Sequence, residues 1–142
     1  MKSAFPKRIL VADDDAAIRT ALCATLEADG YDVTLANDGR VAIEALLATH
    51  FDLAILDLAM PQMDGLEVLQ ELHVLRGEED MPPVLVLTAY GSVSAAVESA
   101  RNGAIDFLHK PILPESLRAS VRQAIAGAIQ RPPVDRSDNY LG

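Results

Sequence analysis

Arg8-Ile9-Leu10-Val11-Ala12-Asp13-Asp14-Asp15 is the stretch that decides the fold: four consecutive apolar residues followed at once by three carboxylates. An unbroken apolar run this short suits a strand covered on both faces, as in a parallel sheet packed between helices. Three further runs end the same way: Leu53-Ala54-Ile55-Leu56 at Asp57, Val84-Leu85-Val86-Leu87 at Thr88, and Phe107-Leu108 shortly before Lys110. In open parallel sheets, ligands bind outside the carboxyl ends of the strands. Asp13, Asp14, Asp57, Thr88 and Lys110 are therefore expected to converge on one edge, where they can hold a divalent metal and a phosphoryl group.

Between these runs lie helical patterns, and the two alternate five times. Strands are expected over residues 8–12, 31–36, 53–57, 84–88 and 105–109. Helices are expected over 16–29, 39–49, 65–76, 92–102 and 114–129. Ile18, Leu22 and Leu26 fall one turn apart, with Gly30 as a helix stop. Asp15, Asp38 and Asp64 stand where N-caps belong. Ala42, Ala45 and Leu46 should face inward on the second helix, Val93, Ala96, Val97 and Ala100 on the fourth, and Leu117, Val121 and Ile125 on the fifth. Repeated strand–helix units with short connections imply right-handed crossovers and an α/β sandwich. One domain is expected over residues 1–130, with residues 131–142 a flexible tail or the start of an interdomain linker.

The chain has 142 residues, half of them hydrophobic, and a formal net charge of −9. Such acidity argues against direct nucleic-acid binding and against an anionic membrane surface. No apolar run approaches a membrane span, and the run after the basic start is too short for a signal-peptide core. The single cysteine, Cys23, rules out an internal disulfide and reads as a small apolar helix residue. A cytoplasmic protein is the expectation. His50, His73 and His109 lack metal-ligand spacing, and strand alternation turns His109 away from the Lys110 side chain.

Taken singly, each site residue has a plain explanation. Asp57 can cap a turn, Thr88 can close a strand, and Lys110 can be a surface lysine. Taken together they form a reaction site. A carboxylate at a strand end can attack phosphorus and form an acyl phosphate. Mg²⁺ takes one or two carboxylates plus phosphate oxygens and water, which suits Asp13 and Asp14 beside Asp57, with the backbone carbonyl of Ala59 in reach. Thr88 and Lys110 supply a hydroxyl and a compact positive charge for phosphoryl oxygens.

Four motifs in this order carry a resemblance: Ile9-Leu10-Val11-Ala12-Asp13-Asp14-Asp15, Leu56-Asp57-Leu58-Ala59-Met60-Pro61-Gln62-Met63-Asp64-Gly65, Leu87-Thr88-Ala89, and Gly103-Ala104-Ile105-Asp106-Phe107-Leu108-His109-Lys110-Pro111. Over residues 7–129 the chain resembles the receiver domains of two-component response regulators, and in motif the nitrogen-regulation type. The resemblance implies a flavodoxin-like fold, a five-stranded parallel sheet in the order 2-1-3-4-5 sandwiched between five helices. It implies Asp57 as phosphoacceptor, with Asp13, Asp14, Asp57 and the Ala59 carbonyl as ligands of Mg²⁺, or of Mn²⁺ in its place. Thr88, Ala89 and Lys110 would bind the phosphoryl group, Thr88 and Phe107 would form the switch, and Lys110-Pro111 would be cis.

The resemblance further implies a sensor histidine kinase or phosphotransfer protein as donor. The recipient would be an output partner or fused output domain, engaged through the face of the fourth helix, fifth strand and fifth helix. Glu98, Arg101, Asp106, Arg118 and Arg122 give that face mixed charge, and it suits a homodimer formed on phosphorylation. Ala59 and Tyr90 flank the site at variable family positions. A phosphohydrolase of the haloacid dehalogenase type would need a second Asp two residues after the nucleophile, and Ala59 stands there. A switch rather than a conventional enzyme is therefore expected.

Overall fold

A computed structural model describes residues 5–89 and 93–130. Tyr90, expected to flank the site, and the expected tail at 131–142 lie outside the described residues. The elements run β1 (Arg8–Ala12), α1 (Ala16–Ala28), β2 (Asp32–Ala36), α2 (Gly39–Ala48), β3 (Leu53–Asp57), α3 (Gly65–Arg76), a 3₁₀ turn (Glu78–Asp80), β4 (Val84–Thr88), α4 (Val93–Arg101), β5 (Asp106–His109) and α5 (Pro114–Gln130). The strands form one parallel sheet in the order β2-β1-β3-β4-β5. This is the expected architecture, and the boundaries differ from expectation by a residue or so, as fraying helix ends allow.

Strand alternation sorts the core into two layers. Leu10, Ala12, Ala54, Leu56, Val84 and Val86 point to one face, where Ala42 and Leu46 of α2 and Val68, Leu69 and Leu72 of α3 cover them. Ile9, Val11, Leu53, Ile55, Leu85 and Leu87 point to the other, under Leu22 and Leu26 of α1 and Leu117, Val121 and Ile125 of α5. β1, β3 and β4 thus have both faces buried, which is why their sequences are apolar without alternation. β5 is an edge strand, and Phe107 is 43% exposed on it.

The helix starts are set by carboxylates. Asp15 accepts from the Ala17 and Ile18 amides, and Asp38 from Val41. Asp64 and Glu67 close a reciprocal capping box at α3. Gly30 ends the α1 turn with φ 91°, a conformation open to glycine.

Two expectations need correction. Val97 is 50% exposed and Ala100 is also on the surface, so the buried stripe of α4 runs instead through Ala96 and Ser99. The Ser99 hydroxyl is satisfied within the helix by the Ala95 carbonyl at 2.8 Å, so burying it costs little. Arg118, expected on the shared face of α4, β5 and α5, lies 3.3 Å from Asp29 at the end of α1 and ties α1 to α5. Cys23 behaves as expected of a structural thiol: burial, then Glu27 beside it, push its pKa up and away from thiolate.

Candidate functional site at the carboxyl edge of the sheet

β1, β3 and β4 end side by side, and their last residues change from apolar to polar together. Asp13 follows β1, Asp57 ends β3 and Thr88 ends β4. Asp13 and Thr88 are fully buried and Asp57 nearly so. The carboxylates of Asp13, Asp14 and Asp57 each offer an oxygen within 4.8 Å of the others, with Asp14 on the solvent side. Lys110 reaches across from the end of β5. Its Nζ lies 2.9 Å from Asp57 Oδ2 and 2.9 Å from Asp13 Oδ2.

The remaining carboxylate oxygens are held by backbone. Asp13 Oδ1 accepts from the Asp15 amide at 2.9 Å, and Asp57 Oδ1 from the Ala59 amide at 3.1 Å. Both side chains are therefore fixed at each end. One ammonium thus serves two buried carboxylates at equal distance. The pairing raises the Lys110 pKa despite its burial. Burial nevertheless wins at Asp57 and raises its carboxyl, with Asp13 adding to the rise, while Lys110 and the Ala59 amide pull the other way.

A hard divalent cation fits this donor set. Three carboxylates facing one ammonium leave negative charge that nothing else in the cluster offsets. All the side-chain donors are oxygens, the preference of Mg²⁺.

Several contributors were not singled out in the sequence. Arg19 Nη1 donates to the Asp13 carbonyl at 2.8 Å and so pins the loop that carries two of the acidic residues. Its position one turn into α1 was the only available signal. Gly39 and Gly65 are required by close backbone approach. A Cβ on Gly65 would overlap the carbonyl of Asp57, and one on Gly39 would overlap that of Met63. Gln62, between them, has φ 69°, a left-handed conformation without glycine.

His109 is the contributor that the sequence reading passed over. Strand pairing sets Thr88 opposite His109, and His109 Nδ1 lies 3.2 Å from Thr88 Oγ1. Its ring also meets Phe107 edge-on, with centroids 5.3 Å apart. The histidine turned away from Lys110 in the sequence reading is thus in contact with both expected switch residues. Phe107 stands beside a notch of about 150 Å³ lined by Val86, Ala96, Ala100, Ala104, Ile105 and Asp106. Ala89 is exposed directly after Thr88, and the Lys110–Pro111 bond is cis.

In a doubly wound parallel sheet the crevice at the carboxyl ends of the strands is the ligand site, and here it is acidic with one lysine. Residues 9–122 match the family model of the response regulator receiver domain, and the chain belongs to that family. It is 44% identical over 118 residues to the transcriptional regulatory protein ZraR of Escherichia coli strain K12, covering 83% of this chain and 26% of ZraR. It is 46% identical over 115 residues to the response regulator MprA of Mycobacterium tuberculosis strain H37Rv, covering 81% of this chain and 49% of MprA. Among solved structures, a CheY-like receiver domain protein from Methanospirillum hungatei superposes with a TM-score of 0.83 at 30% identity, covering 90% of this chain and all of that one. The chain thus spans a quarter to a half of the curated relatives' length. It is a two-component signalling switch of the receiver type rather than a conventional enzyme. No helix among the described residues is long and apolar enough to cross a membrane.

Proposed function

We propose that Asp57 accepts a phosphoryl group from the phosphohistidine of a sensor kinase or phosphotransfer protein. The observation that carries this is the lysine held 2.9 Å from both Asp57 and Asp13 at the sheet edge. An oxygen of the Asp57 carboxylate attacks phosphorus, the P–N bond to the donor imidazole breaks, and the donor leaves as neutral histidine after taking a proton. The product is an acyl phosphate on Asp57. Asp13, Asp14, Asp57 and the Ala59 carbonyl would hold Mg²⁺ or Mn²⁺, which supplies positive charge to the transferred oxygens. Lys110 exchanges its contact with the Asp57 carboxylate for a phosphoryl oxygen, and Thr88 and the Ala89 amide bind the others.

Phosphorylation adds about −1.5 to −2 of charge, enough to draw Thr88 and Lys110 toward it. Thr88 leaving its place lets the half-exposed Phe107 turn inward, which reshapes α4, β5 and α5. Val97, Ile105 and Phe107 put exposed apolar surface on this face, beside the Glu98–Arg101 pair. An output partner, a fused output domain or a second copy formed on phosphorylation would read it. Residues 1–130 act as the receiver and 131–142 as tail or linker, in the cytoplasm. Intact-protein mass after incubation with acetyl phosphate and Mg²⁺ tests this. One phosphoryl group should be gained, and EDTA or Asp57→Asn should abolish the gain. Equal gain by the Asn variant overturns the assignment.

A further inference from the structure

The Thr88 hydroxyl has a partner within the protein. It is fully buried, and the polar atom facing it across the β4–β5 ladder is His109 Nδ1, 3.2 Å away. Behind it, Lys110 donates its amide to the Thr88 carbonyl at 2.8 Å, which ties the two backbones together at this point. The same imidazole presses edge-on against Phe107, which is two residues away on the same side of β5. One exposed histidine thus touches both residues whose joint movement would transmit the signal.

We propose that His109 is a positioning residue, a polar latch that keeps Thr88 turned toward β5. The latch rests on the phosphoacceptor reading. Whichever ring nitrogen carries the proton, the hydrogen bond places Oγ1 against β5, and a phosphoryl group on Asp57 must compete for that hydroxyl. A hydrogen bond of this kind biases an equilibrium by about two- to tenfold. The consequence is a raised threshold: this chain stays in its unphosphorylated arrangement more firmly than it would with an aliphatic residue at position 109.

Two measurements decide it. The first is the ¹⁵N shift of His109 Nδ1 in metal-free protein, wild type against Thr88→Val. The latch requires the shift to move when the hydroxyl is removed, and an unchanged shift overturns it whether or not Asp57 is ever phosphorylated. The second is affinity for the beryllium trifluoride anion with Mg²⁺. His109→Val should bind it about two- to tenfold more tightly than wild type. His109→Asn, whose amide reaches the position of Nδ1, should stay near wild type, and the valine effect should vanish in a Thr88→Val background. Equal shifts in the Val and Asn variants, or a valine effect that survives without the Thr88 hydroxyl, overturn the latch. If wild type fails to bind the anion, the phosphoacceptor reading falls, and the ¹⁵N measurement alone decides whether the latch exists. His109 is exposed, so neither substitution removes core packing.

Discussion

Asp57 is caught between burial, which favours its neutral form, and Lys110, which favours its charged form; burial prevails and the carboxyl pKa is raised. A raised pKa means that the folded state binds the proton more tightly than the unfolded state. Stability is therefore lost as pH rises from the ordinary carboxyl range, about 3.9, through the raised value. Asp57→Asn cannot ionise and escapes this loss. In EDTA, urea melts from pH 4 to 7 should show the Asn variant gaining on wild type as pH rises. A constant difference across that range would contradict the electrostatic account. Lys110 has the opposite reach. Its raised pKa keeps its contribution intact below about 10.4, to be lost only at more alkaline pH. At this scale the site was largely legible, because Asp13, Asp57, Thr88 and Lys110 each follow an apolar run whose end can be seen in the sequence. Arg19 and His109 were not, because their roles arise from contacts with Asp13 and Thr88 that no local pattern encodes.

The β3–α3 connection is the element on which the site depends most. It leaves Asp57, passes Gln62 at φ 69°, where Met63 donates to the Pro61 carbonyl at 2.7 Å, and enters α3 at Gly65. A left-handed residue with a Cβ costs about 1–2 kcal/mol, partly offset in glycine by its greater unfolded freedom. Gln62→Gly should accordingly stabilise the protein by about 0.5–1 kcal/mol in urea melts, and a loss of stability would show that the glutamine side chain contributes something unseen. Gly65→Ala forces a methyl into the Asp57 carbonyl. It should cost about 1–3 kcal/mol and weaken Mg²⁺ binding as well, since the overlap is with the backbone of the proposed acceptor. Unchanged Mg²⁺ affinity would separate the packing of α3 from the site. The start of α3 was readable from Asp64. The strain at Gln62 and the closeness of Gly65 to Asp57 were not, because they are set by tertiary approach rather than by propensity.

The whole molecule places its polar chemistry on one edge of a sheet whose interior is apolar on both faces. The alternation of strands and helices revealed the class of fold. The strand order came from family resemblance, since periodicity does not say which strand lies next to which. The inward stripe of α4 was misread because Val97 and Ala96 both fit a helical pattern and only packing distinguishes them. If the acidic cluster holds Mg²⁺ as proposed, the ion stabilises the folded chain by about 2.7 kcal/mol at a hundredfold excess over Kd. Thermal melts with Mg²⁺ against EDTA should show this, and the effect should shrink in Asp13→Asn. The central claim is that the carboxylate of Asp57, and no other, becomes an acyl phosphate. Borohydride reduces an acyl phosphate to an alcohol, so treatment after acetyl phosphate and Mg²⁺ should convert residue 57 to homoserine, seen by peptide mapping. Conversion at Asp57 alone is the predicted result; conversion at Asp13 or Asp14, with Asp57 intact, would contradict it.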